Sequence, residues 1–231
     1  NKQMYEHYGV PGNKLVPFAF SWESRHFLEI SDKFKSQQTQ TRTDLGIPLD
    51  SHVVLFCGRL SEEKNPLHLL KAYDQVDSSK KVLVFVGDGA LMGSLTSYVE
   101  EQNIKSVHFL GFANRADVPK YYAIADVLVL PSRREATGAV ITEAMCFGLP
   151  IIASDQVGFG MDLVKHGYNG YIFPAGDIDA LADYITQTME VGEEEKIAMG
   201  SRSRELVEEW SQRDLAASLL NHLDFLYSSK A

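Results

Sequence analysis

The sequence predicts an α/β fold in which a doubly wound parallel sheet carries helices on both faces. Two observations lead to this prediction. Short apolar runs without polar alternation, typical of buried parallel strands, recur after residue 45, and helical patterns separate them. The runs lie at 53–57, 82–87, 107–110, 127–130, 150–153 and 171–173. A chain of 231 residues can bury roughly 70% of its unfolded surface, so a sizeable core is available.

The first run ends in a loop that carries two cations. Gly58 and Arg59 follow Cys57 directly, Lys64 stands later in the same polar loop, and Pro66 is a favourable first residue for the next helix. An arginine can hold phosphate oxygens in a bidentate fork, and a lysine supplies a compact point charge. The loop therefore has the groups of a phosphate site. It equally fits a solvated loop in which the two preceding glutamates pair with Lys64.

The second run is followed by glycines that imitate a dinucleotide-binding fingerprint. Gly87, Gly89 and Gly93 stand after it, but the third glycine comes one residue late and no acidic residue stands near residue 108. We interpret this segment as a tight turn into a helix.

The segment after the fourth run is the most informative part of the sequence. Seven residues separate Glu135 from Glu143, and between them Gly138 opens an apolar helical pattern of about ten residues that ends at Gly148. Glu135 then lies on the loop at the carboxyl end of a strand, where open α/β sheets bind ligands. Glu143 lies about a turn and a half inside the helix. Two carboxylates thus flank one helix N-terminus.

A nucleoside diphosphate sugar suits this arrangement chemically. Its sugar and ribose hydroxyl groups donate hydrogen bonds in vicinal pairs, and an ionised carboxylate accepts them. Backbone N–H groups of Gly138, Ala139 and Val140, with the positive end of the helix dipole, would face the diphosphate, and the glycine permits close approach. The competing interpretation is that both glutamates cap the helix or face solvent.

The last run leads into a segment that imitates a metal-binding motif. Asp177 and Asp179 form an Asp-x-Asp pattern, but Gly176 precedes them and an apolar helical pattern follows. We therefore interpret Asp177 as a helix N-cap and Asp179 as a favourable first-turn acid, and we expect no catalytic metal.

The remaining segments are less specific. We predict helices over Glu193–Glu209 and Asp214–Tyr227, and an aromatic-rich stretch beginning at Trp22. The polar run KSQQTQTRTD, residues 35–44, is interpreted as a surface loop.

Composition excludes several classes of partner. The formal net charge is −9 and no cluster of lysine and arginine stands out, so we expect neither nucleic acid nor an anionic membrane surface as partner. No apolar run approaches the length of a membrane-spanning helix. Cys57 and Cys146 have no metal or disulfide spacing, and a cytoplasmic location is expected. None of the seven histidines has the placement of a catalytic base.

Taken together, the motifs closely resemble the retaining, nucleotide-sugar-dependent glycosyltransferases of the double-Rossmann (GT-B) type, family four. The resemblance covers more than half of the chain. It rests on these segments, in this order: LVPFAF, GRLSEEKN, VFVGDG, VHFLGF, ADVLVLPS, EATGAVITEAMCFGLPIIAS and NGYIFPAGD.

The resemblance implies a role for each candidate residue. Arg59 and Lys64 would bind the diphosphate and Glu135 the sugar hydroxyls, and these three would be the catalytic residues. Glu143 would bind the ribose diol. The other binding groups would be Gly58, the backbone of Gly138, Ala139 and Val140 on phosphate or sugar, and backbone near Phe112 on the nucleobase.

The family also implies a domain organisation. Residues 1–44 would be the tail of an N-terminal half with its linker, 45–192 a Rossmann-like donor-binding domain, and 193–231 helices that brace the other half. The chain would be the C-terminal half of a hexosyltransferase that uses a UDP- or GDP-linked sugar and no cofactor. It would be nearly inactive without the acceptor-binding half. Any contact with a membrane would be made through that other half. Thr137 and Phe159 depart from the family's usual residues. A nucleotide-sugar epimerase, another GT-B enzyme and a non-catalytic nucleotide-binding module are the alternatives.

Overall fold

A computed structural model of the chain describes residues 2–15 and 24–212 and contains a six-stranded parallel sheet. The strands are β1 His52–Cys57, β2 Lys81–Val86, β3 Val107–Phe109, β4 Val127–Leu130, β5 Ile151–Ser154 and β6 Gly170–Phe173. All six predicted strands are confirmed, with ends within one residue. The apolar runs were reliable because both faces of this sheet are covered.

Helices precede, separate and follow the strands. They are α1 Lys2–His7, α2 Ser24–Lys35, α3 Gln38–Asp44, α4 Pro66–Gln75, α5 Met92–Glu101, α6 Val118–Ile124, α7 Ala139–Cys146, α8 Gly158–Leu163, α9 Ile178–Glu190 and α10 Glu193–Gln212, with a short 3-10 helix at Gly12–Lys14. The predicted N-cap is confirmed, because the Asp177 carboxylate accepts a hydrogen bond from the Ala180 amide at 3.0 Å. Three predicted features lie outside the described residues. They are nearly all of the LVPFAF segment, the start of the aromatic-rich stretch at Trp22, and the predicted helix Asp214–Tyr227.

The strand order fixes where a ligand can bind. The order is β3-β2-β1-β4-β5-β6, so the chain winds outward in one direction from β1 and in the other from β4. In such sheets the loops after the two central strands separate and leave a crevice at the carboxyl edge. Here that crevice lies between the loop after β1, residues 58–65, and the loop after β4, residues 131–138.

Each face of the sheet packs against its own apolar layer. Val53, Leu55 and Cys57 of β1 belong to the layer formed with α2, α6 and α7, whereas Val54 and Phe56 belong to the layer formed with α4 and α9. This division follows from the alternation of side chains along a strand.

The surface loop predicted at residues 35–44 is wrong. Lys35 is the last residue of α2, and α3 begins three residues later. The reason is Arg42, whose side chain is buried. Its guanidinium donates to the Ile124 carbonyl at 2.6 and 3.0 Å and to the Ser51 carbonyl at 3.0 Å, and it pairs with Asp126 at 2.8 Å. A polar run can therefore be a packed helix when one long side chain anchors it.

The glycine segment after β2 is confirmed as a turn into a helix. Gly87 has φ +135°, and a side chain there would overlap the carbonyl oxygen of Gly58 at the end of β1. Gly87 therefore permits the close approach of two backbone segments.

Candidate functional site

The two crevice loops are joined by their backbones. The amide of Arg133 donates to the Glu63 carbonyl at 2.8 Å, and the side-chain amide of Asn65 donates to the Pro131 carbonyl at 3.4 Å. Asn65 has a left-handed backbone (φ 55°) and is buried where α4 begins. The loop carrying Arg59 and the loop carrying the first glutamate therefore form one structural unit.

Lys64 and Glu135 are direct partners across the crevice. The Lys64 ammonium forms an ion pair with the Glu135 carboxylate, and their side chains are 25% and 12% exposed. Burial lowers the pKa of Lys64, the charge of Glu63 raises it, and the nearby charge of Arg59 lowers it. The pairing with the adjacent glutamates, which the sequence left open, is thus limited to an electrostatic influence. A second cation beside Lys64 makes this end of the crevice suitable for an anion.

The backbone around Glu135 is held by the loop that follows β5. Residues Glu135 and Val157 form an isolated parallel bridge, the amide of Gly158 donates to the Glu135 carbonyl at 3.0 Å, and the amide of Phe159 donates to the Thr137 carbonyl at 2.8 Å. These bonds fix the backbone from which the Glu135 side chain reaches Lys64. The Phe159 ring is buried and makes an edge contact with the ring of Trp210, near the end of α10.

Helix α7, which follows Glu135 and contains Glu143, begins without a side-chain cap. Gly138 is its N-cap residue, with φ +80°, and neither Glu135 nor Glu143 caps it. The capping interpretation of the two glutamates is therefore wrong. Ala139 and Val140 form its first turn and are half-buried, so their amides lie at the end of the helix that attracts an anion.

Glu143 lies on α7, on the side of that helix that faces α6. The hydroxyl of Tyr122 donates to its Oε2 atom at 2.6 Å. Burial raises the pKa of the Glu143 carboxyl, whereas the hydrogen bond from Tyr122 and the charge of Arg115 lower it. This acid is therefore a partly buried polar group beside an apolar layer, held by one strong hydrogen bond.

Two further predicted residues lie at the same edge of the sheet. Gly58 follows β1, and its amide donates to the Val86 carbonyl at 2.9 Å. Phe112 stands after β3, next to Gly111 with φ +68°, and is 80% exposed. Phe112 thus belongs to the carboxyl edge, two strands from β1.

Sequence reasoning missed three residues that the fold places near the candidates. Arg133 stands in the motif before Glu135, and its guanidinium lies 3.2 Å from the ring of His68. The place of Arg133 in the sequence, just before Glu135, is the signal that could have identified it as a candidate. Tyr122 approaches Glu143 from α6, and Arg115 approaches it from the loop before α6. A tyrosine in an apolar helix carries no such signal.

Two cavities lie at the opposite edge of the sheet. Their volumes are about 370 and 420 Å³, and both are lined by Asp126 and Lys196 near the amino ends of the strands. We do not assign the ligand site to them, because open α/β sheets bind ligands at the carboxyl ends of their strands. Among the described residues, no group of three metal-ligating side chains is assembled, and no helix has the length and apolar character needed to cross a bilayer.

Comparison with known proteins gives the same fold and names a family. The sequence profile of the family described as "Glycosyl transferases group 1" matches residues 37–206. The chain is 35% identical to the UDP-Gal:alpha-D-GlcNAc-diphosphoundecaprenol alpha-1,3-galactosyltransferase of Escherichia coli over 149 residues, which are 62% of this chain and 38% of that protein. It is 29% identical to N-acetyl-alpha-D-glucosaminyl L-malate synthase of Bacillus anthracis over 186 residues, 80% of this chain and 48% of that protein.

A solved structure extends the match to almost the whole chain. The Anabaena protein Alr3699/HepE, solved in complex with UDP and glucose, superposes with a TM-score of 0.74 at 25% identity, covering 98% of this chain and 60% of that one. The chain spans less than half the length of the curated relatives named above. With the strand order and the matched profile, these findings show that the chain belongs to the glycosyl transferases group 1 family and has the Rossmann-like fold of the C-terminal half of GT-B glycosyltransferases.

Proposed function

We propose that this chain binds a nucleoside diphosphate sugar and supplies the donor half of an enzyme that transfers a hexosyl group with retention. The observation that carries the proposal is the meeting, in one crevice, of Lys64 and Glu135 with Arg59 beside them. The uncapped helix that leads to Glu143 begins in the same loop.

The diphosphate is the natural partner of the cationic end of the crevice. Arg59 can bind two phosphate oxygens at once, and Lys64 can exchange part of its contact with Glu135 for a phosphate oxygen. The amides of Ala139 and Val140 add the positive end of the helix dipole. Together they concentrate positive charge in a chain whose net charge is −9.

The two carboxylates divide the hydroxyl groups of the donor between them. Glu135, next to Lys64, would accept from the hexosyl hydroxyls close to the diphosphate. Glu143, on α7 beside an apolar layer, would accept from the ribose diol. A UDP- or GDP-linked sugar fits this division, and backbone near Phe112 would meet the base. HepE, solved with UDP and glucose, supports the choice of ligand.

In the transfer step, the bond between the anomeric carbon and the diphosphate oxygen breaks and the diphosphate leaves with the electron pair. An acceptor hydroxyl forms the new bond to the anomeric carbon and passes its proton to an oxygen of the departing diphosphate. Arg59 and Lys64 would stabilise the charge that develops on the departing diphosphate, an electrostatic contribution of several kcal/mol per well-placed group. The acceptor would be held by the other half of the enzyme, which residues 1–44 and 193–231 would join and brace. Closure of the two halves would exclude water.

A thermal-shift panel of nucleotide sugars tests this function. We expect one of UDP-glucose, UDP-galactose, UDP-N-acetylglucosamine and GDP-mannose, at a hundred times its Kd, to raise the Tm by about 5–10 °C, because it binds only the native state. The free sugars are the matched control and should leave the Tm unchanged. If UDP, GDP and all four donors leave the Tm unchanged at millimolar concentration, the proposal is wrong. With the full-length enzyme, release of nucleotide that depends on an acceptor distinguishes transfer from epimerisation.

A further inference from the structure

Tyr122 is a fully buried tyrosine whose hydroxyl is hydrogen-bonded to Glu143 and to the Cys57 thiol. Its ring makes a tilted contact with Phe147 (5.6 Å between centroids) and an edge contact with Phe27 (6.4 Å). These aromatic neighbours come from α2 and from the end of α7, so the ring is fixed by two other elements. From that position its hydroxyl donates to Oε2 of Glu143 at 2.6 Å.

We propose that Tyr122 is a positioning residue that fixes the Glu143 carboxylate in the orientation needed to accept from the ribose diol of the nucleotide. This inference rests on the proposed function, because it assumes that Glu143 binds the ribose. A carboxylate has about four lone-pair sites, so the bond from Tyr122 holds Oε2 and leaves Oε1 to accept from a second donor. A short bond from a rigid ring also removes the rotamer freedom that binding would otherwise have to restrict.

The groups around Glu143 leave Tyr122 as its main local donor. Burial raises the pKa values of the Cys57 and Cys146 thiols to about 12, so both are neutral. Burial also raises the pKa of Tyr122 well above its ordinary value, so its hydroxyl keeps its proton. Arg115 is the nearby cation that favours the carboxylate. Removing the tyrosine hydroxyl therefore removes its hydrogen bonds to Glu143 and Cys57 without changing any neighbouring charge.

The test compares two ligands that differ only in the diol. The probes are UDP and 2′,3′-dideoxy-UDP, with GDP and 2′,3′-dideoxy-GDP as the second pair, titrated calorimetrically into this chain. We expect the wild type to prefer the diol-bearing nucleotide about tenfold to a hundredfold. Tyr122→Phe should reduce this preference about fivefold to tenfold and leave the affinity for the dideoxy form within about twofold. A purely structural role would lower both affinities equally.

Tyr73→Phe is the matched control. Tyr73 is also fully buried, but its hydroxyl donates to the carbonyls of Lys81 at 3.0 Å and Ser106 at 3.1 Å in the other apolar layer. This substitution should lower stability and leave the nucleotide preference at its wild-type value.

A pH series gives a second readout. Only the ionised Glu143 accepts from both hydroxyls, so affinity for the diol-bearing nucleotide falls as the pH falls through the pKa of Glu143. The bond from Tyr122 lowers that pKa, so Tyr122→Phe should move the midpoint of the loss to higher pH. An unmoved midpoint together with an unchanged preference overturns the inference.

Glu143→Ala separates the inference from the function on which it rests. If Glu143→Ala abolishes the preference and Tyr122→Phe does not reduce it, Tyr122 has no positioning role and the ribose assignment stands. If Glu143→Ala keeps the full preference, the ribose assignment fails and the inference fails with it.

Discussion

Arg42→Met is expected to lower the free energy of unfolding by about 3–5 kcal/mol, the largest stability effect that we predict for a single side chain. Arg42 is only 5% exposed and binds at the amino edge of the sheet, where Asp126 precedes β4. The same carboxylate also accepts from the Val53 amide at 2.7 Å. Methionine fills the space but leaves the carbonyls of Ile124 and Ser51 without this donor and the carboxylate without its cation.

Urea unfolding followed by circular dichroism measures this effect. Arg25→Met, on the exposed side of α2, is the control and should change stability by less than about 0.5 kcal/mol. A loss below 1 kcal/mol for Arg42→Met would show that the guanidinium does not anchor α3.

Lys64→Met is expected to have the largest effect on function. The substitution removes a phosphate-binding charge and leaves the Glu135 carboxylate, only 12% exposed, without its ammonium partner and facing the diphosphate. Both changes weaken binding of an anion. We expect the affinity for UDP to fall about tenfold to a hundredfold and the rate of transfer by the full-length enzyme to fall about 10²- to 10³-fold.

The ligand comparison identifies the cause of the loss. Affinity for uridine, which has no phosphate, should change less than twofold in Lys64→Met. Lys80→Met removes an exposed lysine that pairs with Asp50 at the other end of the sheet, and it should affect neither ligand. Equal losses of UDP and uridine affinity would indicate a damaged fold, and undiminished UDP affinity would remove Lys64 from the site.

The sequence was sufficient for the sheet because strands such as β1, β4 and β5 are buried on both faces and therefore appear as short apolar runs. It was insufficient at residues 35–44, where one buried guanidinium outweighs nine residues that indicate a surface loop. Local composition cannot reveal such an anchor, since the partners of Arg42 stand as many as 84 residues away.

The candidate site divides in the same way. Lys64 and Glu135 could be placed in one crevice from the sequence, because the carboxyl ends of neighbouring parallel strands meet at one edge. Their direct ion pair could not be predicted, since the sequence offered Lys64 two nearer acids. Tyr122 was invisible for another reason. Its side chain reaches from α6 to Glu143 on α7, a contact between two helices that sequence does not show. Its apolar neighbours in the sequence indicate only a core position.

A crystal structure of the chain with bound UDP tests the central claim most directly. The proposed site predicts the diphosphate within hydrogen-bond distance of Lys64 and Arg59, at the start of α7, and the ribose diol within hydrogen-bond distance of the Glu143 carboxylate. UDP bound at the amino edge of the sheet, in the cavities beside Asp126 and Lys196, would contradict it.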